Sequence, residues 1–153
     1  MKHIKLFESY AKKMVLIVGL PGSGKSQLTK QINDGSFVEF DDPEKREWDK
    51  ELDSFGEPWA PIKKELSSGK NVIINSGDFT EPGGEDLISF FQNLGKSHNY
   101  SVRTIYFENN PEQCIKNLEG RNFRKMKKDM IYYASKNYKI PIGAETVPVY
   151  TPK

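Results

Sequence analysis

Apolar residues in this chain fall in short runs separated by polar stretches rich in glycine and proline. Met14 to Val18 is unbroken, with lysines before it and Gly19 after it. Phe37 to Phe40, Asn71 to Asn75 with Val72-Ile73-Ile74 at its centre, and Tyr100 to Phe107 are similar runs. Short β-branched and aromatic runs bounded by turn formers predict strands, and continuous ones suit a parallel sheet buried on both faces. Between them the period shifts toward 3.6, which predicts helices over Lys25 to Ile32, Pro43 to Phe55, Trp59 to Ser68 and Glu85 to Leu94. In the last of these Leu87, Ile88, Phe90, Phe91 and Leu94 are expected to face inward. A further helix starts after Asn109-Asn110-Pro111, capped by one of the two asparagines, and ends near Gly120. In a final helix Met130, Ala134 and Tyr138 recur every four residues with Ile131 beside them. Ile140 to Lys153 holds Pro141, Pro148 and Pro152, and reads as an extended tail with one strand over Thr146 to Val149. Strands alternating with helices predict an α/β domain over residues 14–153, with a doubly wound, mainly parallel sheet of four or five strands. Ile4, Phe7, Tyr10 and Ala11 give residues 1–13 the spacing of a short amphipathic helix.

The junction of the first strand and first helix carries the most specific pattern. Gly19-Leu20-Pro21-Gly22-Ser23-Gly24-Lys25-Ser26 fits G-x-x-x-x-G-K-[ST], the P-loop, in its strand–loop–helix setting. Glycines let the backbone curve round an anion without Cβ clashes. Backbone N–H groups from about Gly22 to Ser26 then face phosphate oxygens, with the positive end of the helix behind them. This predicts a nucleotide site formed by Gly19 to Gln27, with Lys25 beside the β- and γ-phosphates of ATP and Ser26 on Mg²⁺.

Other candidates stand at strand ends, where open parallel sheets bind ligands. The second strand ends in Asp41-Asp42, followed by Pro43. One carboxylate can cap the helix while Asp41 works beside the magnesium and an acceptor hydroxyl, with Asp42 as a substrate contact. Arg46 is a candidate to reach an acceptor phosphate, although an exposed helix face accounts for it more simply. After the third strand, Ser76 and Asp78 open a polar loop and are candidates for binding an acceptor, or else simple turn formers. The segment Arg121-Asn122-Phe123-Arg124-Lys125-Met126-Lys127-Lys128 is the strongest basic cluster. Arginine's planar fork binds phosphate oxygens in pairs, so Arg121 and Arg124 are candidates to clamp a transferring phosphoryl group.

Composition narrows the classes. The 153 residues suit one domain, with 36% hydrophobic and 29% charged positions. No apolar run approaches the roughly 20 residues of a membrane span, and Met1 to Lys13 lacks a signal-peptide apolar region. Cys114 is the single cysteine, so no internal disulfide forms and a cytoplasmic setting is expected. A net charge of +2 makes no global case for nucleic-acid binding, which leaves any such contact local.

Taken in order, the P-loop, Asp41-Asp42, Val72-Ile73-Ile74 with its polar loop, the Arg-x-x-Arg pair Arg121 and Arg124, and a late Pro148-Val149-Tyr150 resemble the small P-loop kinases of the polynucleotide-kinase and zeta-toxin group. The likeness is to the kinase domains of phage polynucleotide 5′-kinases in particular, and it covers most of residues 14–150. It implies ATP- and Mg²⁺-dependent transfer of the γ-phosphate to a hydroxyl of a nucleic-acid 5′ end, a nucleotide or a modified nucleobase. Asp41 would be the base, and Arg121 or Arg124 would stabilise the moving phosphoryl group. Two departures bear on the acceptor: only Arg46 is available for its phosphate, and Ser76 stands where such kinases usually place Asp. A small-metabolite kinase of the zeta-toxin type, or a nucleotide-binding NTPase or regulator without an acceptor, are the alternatives. Leu6-Phe7-Glu8 in a lysine-rich opening resembles the leaders of some tailed-phage proteins, and a phage-encoded chain would work in the host cytoplasm.

Overall fold

The computed structural model describes residues 12–41, 59–119 and 125–152. The predicted helix over Pro43 to Phe55, the leader, and the candidates Asp42, Arg46, Arg121 and Arg124 lie outside the described residues.

Five strands form one sheet: β1 (Lys13–Val18), β2 (Phe37–Phe40), β3 (Asn71–Asn75), β4 (Ser101–Phe107) and β5 (Glu145–Val147). Their spatial order is β2-β3-β1-β4-β5, and every pairing is parallel. The sheet is thus wholly parallel, more regular than the mixed possibility the sequence allowed. β1 is central because it can be buried on both faces. Met14, Leu16 and Val18 enter one core cluster, while Val15 and Ile17 enter the other. The chain leaves β1 towards β2 on one side and later returns across it to β4 and β5. The strand order therefore reverses beside β1, where ligands of doubly wound sheets bind.

Five described helices complete the fold: α1 (Lys25–Ile32), α2 (Ala60–Ser67), α3 (Gly84–Ser97), α4 (Pro111–Leu118) and α5 (Lys125–Asn137). Leu28 and Ile32 of α1 cover the smaller cluster. Ile62 and Leu66 of α2, Ile88 and Phe91 of α3, Cys114 and Ile115 of α4, and Ile131 and Ala134 of α5 join the larger one. Asn110, rather than Asn109, caps α4 by accepting from Gln113 N–H at 3.2 Å. Asn109 instead ties α4 to α5, donating to the Ser135 carbonyl at 2.8 Å. One inward assignment is corrected, and one of the periodic apolar positions faces out. Phe90 is 41% exposed, because Ile88, Phe91 and Gly95 already fill the inner stripe of α3. Met130 is 59% exposed, and the inner stripe of α5 is Ile131, Ala134 and Tyr138. The stretch after β3 was expected to be a plain loop. It contains a 3₁₀ turn, Gly77–Thr80, anchored by buried Phe79 and Thr80. Among the described residues no helix is long and apolar enough to cross a membrane.

Candidate active site

The loop after β1 curls over the carboxyl edge of the sheet and feeds into α1. Gly22 and Gly24 take positive φ, 84° and 107°. A Cβ at Gly22 would lie 2.4 Å from the Cys114 carbonyl oxygen, and one at Gly24 would lie 2.7 Å from Tyr150 Cβ. The glycines are therefore needed both for the turn and for the close approach of α4 and the C-terminal segment.

The loop has the features of an anion cradle. Gly24 is the N-cap of α1 and has no side chain to cap it, so the first-turn N–H groups keep their orientation toward a ligand. Ser23 is 1% exposed, and its Oγ has no hydrogen-bond partner in the protein. A buried hydroxyl is rarely left so, and a phosphate oxygen would satisfy it. One detail differs from the sequence reading. Ser23 N–H closes a turn on the Leu20 carbonyl at 3.1 Å, so it does not join the other amides. Lys25 is only 9% exposed and folds along the loop, with Nζ donating to the Gly19 carbonyl at 2.8 Å. Ser26 and Gln27 are exposed on the open side.

A cleft of about 440 Å³ opens over this loop. Besides Pro21, Gly22 and Gly24 to Gln27, it is lined by Asn75, Asn117, Leu118, Tyr150 and Pro152. These last five were missed from the sequence. Asn75 ends β3 beside Ile17 of β1, is 2% exposed, and donates to Thr29 Oγ1 at 3.5 Å, which in turn donates to the Lys25 carbonyl at 2.8 Å. Its place at a strand end was a usable signal. Asn117 gave none, and Tyr150 stood out only in the late Pro148-Val149-Tyr150 likeness, because tertiary contact alone brings them in. Asn117 Nδ2 donates to the Gly22 carbonyl at 2.9 Å and to the Tyr150 carbonyl at 2.7 Å. Tyr150 N–H donates to the Ser23 carbonyl at 2.9 Å.

The acceptor-side candidates sit apart from this cleft's lining. Asp41 follows β2, and the register Phe40 to Ile74 puts it level with Asn75 on the same sheet edge. Ser76 is 1% exposed, and its Oγ accepts from Asp78 N–H at 3.2 Å. That hydroxyl caps the 3₁₀ turn with one lone pair, as a turn former does, and keeps its own O–H to donate. Asp78 is half-buried in the same turn. Among the described residues no three carboxylates, histidines or cysteines gather to hold a metal. Mg²⁺ would fit here in the usual manner of kinases, on the Ser26 hydroxyl and the nucleotide's own phosphates. Cys114, buried beneath Gly22, has its thiol pushed up to about 11 by burial, and so is no nucleophile.

No family model matches the chain. Among curated proteins it is 31% identical over 116 residues to an uncharacterised protein of Acanthamoeba polyphaga mimivirus, a match spanning 72% of this chain and 74% of that one. It is 34% identical over 118 residues to a mimivirus protein carrying the name of a bifunctional polynucleotide phosphatase/kinase. That match takes in 74% of this chain but spans only 25% of the relative's length. Among solved structures, a gluconokinase from Sinorhizobium meliloti superposes with TM-score 0.58 at 19% identity, covering 92% of this chain and 84% of that one. A chain in the Pnkp1/Rnl/Hen1 RNA repair complex gives TM-score 0.60 at 20% identity, covering 83% and 44%. The two structures share the fold, and the mimivirus relatives share the sequence: the chain has the fold of the P-loop kinases and is similar in sequence to a relative that carries the name of a polynucleotide phosphatase/kinase.

Proposed function

We propose that this chain transfers the γ-phosphate of ATP, with Mg²⁺, to a hydroxyl of a nucleic-acid 5′ end or nucleotide. The observation that carries the donor half is the loop itself: an uncapped helix N-terminus, the orphaned Ser23 hydroxyl, and Lys25 laid along the cradle. The name of the mimivirus relative supports a polynucleotide acceptor.

In this reading Lys25 and the amides of Gly22 and Gly24 to Ser26 hold the β- and γ-phosphates. The acceptor oxygen attacks γ-phosphorus as the bond to the β,γ-bridging oxygen breaks, leaving ADP. Asp41 takes the acceptor hydroxyl's proton. Arg121 or Arg124 offsets charge on the three equatorial oxygens. Ser26, with Asp41 beside it, would hold Mg²⁺, which would supply charge neutralisation on the donor phosphates. The protein's contribution is positioning and charge stabilisation.

The test is transfer of label from γ-³²P-ATP with Mg²⁺ onto 5′-hydroxyl DNA and RNA oligonucleotides, nucleosides, nucleoside monophosphates and simple sugars. Label on an oligonucleotide or nucleotide is expected, and Asp41→Asn should slow it about a hundredfold or more. Free phosphate with no labelled acceptor would refute the reading and leave a nucleotide hydrolase. Label on sugars alone would move the acceptor to small metabolites.

A further inference from the structure

Positive charge and exposed aromatic surface gather on one helix. From Lys125 to Lys139 the chain holds five lysines and a single acid, Asp129, a net charge of +4. The whole chain carries +2, so all its other positions together sum to −2. The same helix, α5, exposes Met130, Tyr132 and Tyr133, the tyrosines at 42% and 56%. Apolar groups that gather on a surface, rather than scatter over it, mark a contact.

The helix period sets their arrangement. Ile131 and Ala134, with Tyr138 just beyond the helix end, face the core. The opposite side carries Lys128, Tyr132 and Lys136 in one row at four-residue steps, with Tyr133 in the row beside it. Each step rises about 6 Å. An aromatic ring between two ammonium groups can stack on a base while the lysines meet the phosphates on either side of it. A duplex keeps its base faces inside the stack and gives the tyrosines nothing to lie on. A second copy of this chain would set lysines against lysines.

α5 is anchored beside the phosphoryl-transfer site. Tyr138 donates to the Val18 and Phe107 carbonyls, the last residues of β1 and β4. Ser135 is tied to Asn109, which follows β4. Both anchors lie at the carboxyl edge of the sheet, where the P-loop begins.

We propose that the outer face of α5 is a docking surface for single-stranded nucleic acid, with Tyr132 and Tyr133 stacking on bases and Lys128 and Lys136 pairing with phosphates. It rests on the polynucleotide acceptor of the proposed function for the strand's role, and adds where the strand lies beyond its reacting end.

The probe is an oligothymidine of about ten nucleotides bearing a 5′-phosphate, so that binding is read apart from transfer. Fluorescence anisotropy with the full-length chain should show saturable binding that weakens as salt is raised, and that is tighter than for a duplex or a polyglutamate of matched charge. Tyr132→Ala with Tyr133→Ala should weaken it about tenfold or more. Lys128→Gln with Lys136→Gln should lower the salt slope by about 1.4, the share of two phosphates on a single strand. All four side chains are exposed, so both double variants should keep the parent's melting temperature. In transfer assays the tyrosine variant should raise KM for a long 5′-hydroxyl strand and leave KM for a nucleoside 3′-monophosphate unchanged. Equal strand affinity in parent and tyrosine variant, polyglutamate or duplex bound as tightly as the strand, or a dimer that the tyrosine variant dissolves would overturn the proposal. Strand binding that the tyrosine variant loses, with no transfer by the parent, would uphold the surface and refute the kinase reading alone.

Discussion

Asn117 joins three parts of the chain that the nucleotide site depends on. Its two amide hydrogens go to the Gly22 and Tyr150 carbonyls, and its Oδ1 accepts from Gln113 at 2.9 Å. Every strong hydrogen-bonding direction of the side chain is thus used to hold the loop against the C-terminal segment. Asn117→Ala removes two donors. Each neutral hydrogen bond contributes roughly 0.5–1.5 kcal/mol, so the pair is worth about 1–3 kcal/mol. The Tyr150 carbonyl is on the exposed side, and water replaces that bond in part, which places the loss at about 1–2 kcal/mol. If the loss falls on the loop conformation that binds ATP, affinity drops about five- to thirtyfold. Asn117→Asp keeps the shape, points a carboxylate oxygen at two carbonyls, and adds a negative charge beside the phosphate site, so it should bind ATP more weakly still. Calorimetric ATP titration of the three proteins measures this. Hydrogen exchange at the Tyr150 amide, bonded to the Ser23 carbonyl, reports whether the segment has loosened. If both variants bind ATP within twofold of the parent and protect Tyr150 equally, the clamp does not position the loop.

Further outcomes follow from single groups. Lys25→Ala should reduce phosphotransfer about a hundredfold or more while leaving the fold intact, read as turnover against melting temperature. Gly24→Ala must hold alanine at φ 107° against Tyr150 Cβ, and should cost about 1–3 kcal/mol in denaturant unfolding, with the C-terminal segment displaced. Ser76→Ala should lose about 1 kcal/mol of stability through the lost cap yet keep turnover within about twofold. A large loss of turnover at unchanged stability would restore Ser76 as an acceptor contact. The Cys114 thiol, with its pKa raised to about 11, should resist a thiol reagent at pH 8 in the native state and react only on unfolding. Because the folded pKa lies above the unfolded one, Cys114 supports the fold below the ordinary thiol value of 9.0, and that support fades as pH rises toward about 11. Native labelling at pH 8 as fast as in denaturant would show the site to be open.

The core of the fold was legible because its signals are local. A five-residue apolar run, a turn that only glycine tolerates, and a helix-period stretch specify β1, the loop and α1 from neighbouring residues alone. The same holds for β3 and β4, whose buried faces appear as continuous apolar runs. Where one face of a helix had several apolar candidates, periodicity could not choose among them. Phe90 and Met130 turned outward because Phe91 and Ile131 occupied the inner positions.

The nucleotide cradle could be read from the sequence because its chemistry comes from backbone amides and glycines at fixed spacing. What completes the cleft could not. Asn117 bonds to Gly22 across 95 residues, and Tyr150 reaches the loop only because β5 pairs with β4 and sends the chain back over α4. Ser76 stood out by its position at a strand end, and only the structure showed that its oxygen also caps the turn that follows. The sequence determined the elements and the phosphate-binding loop, where the interactions are short-range. Tertiary structure decided which distant side chains wall the sites, because those contacts exist only once the sheet has set the strands side by side.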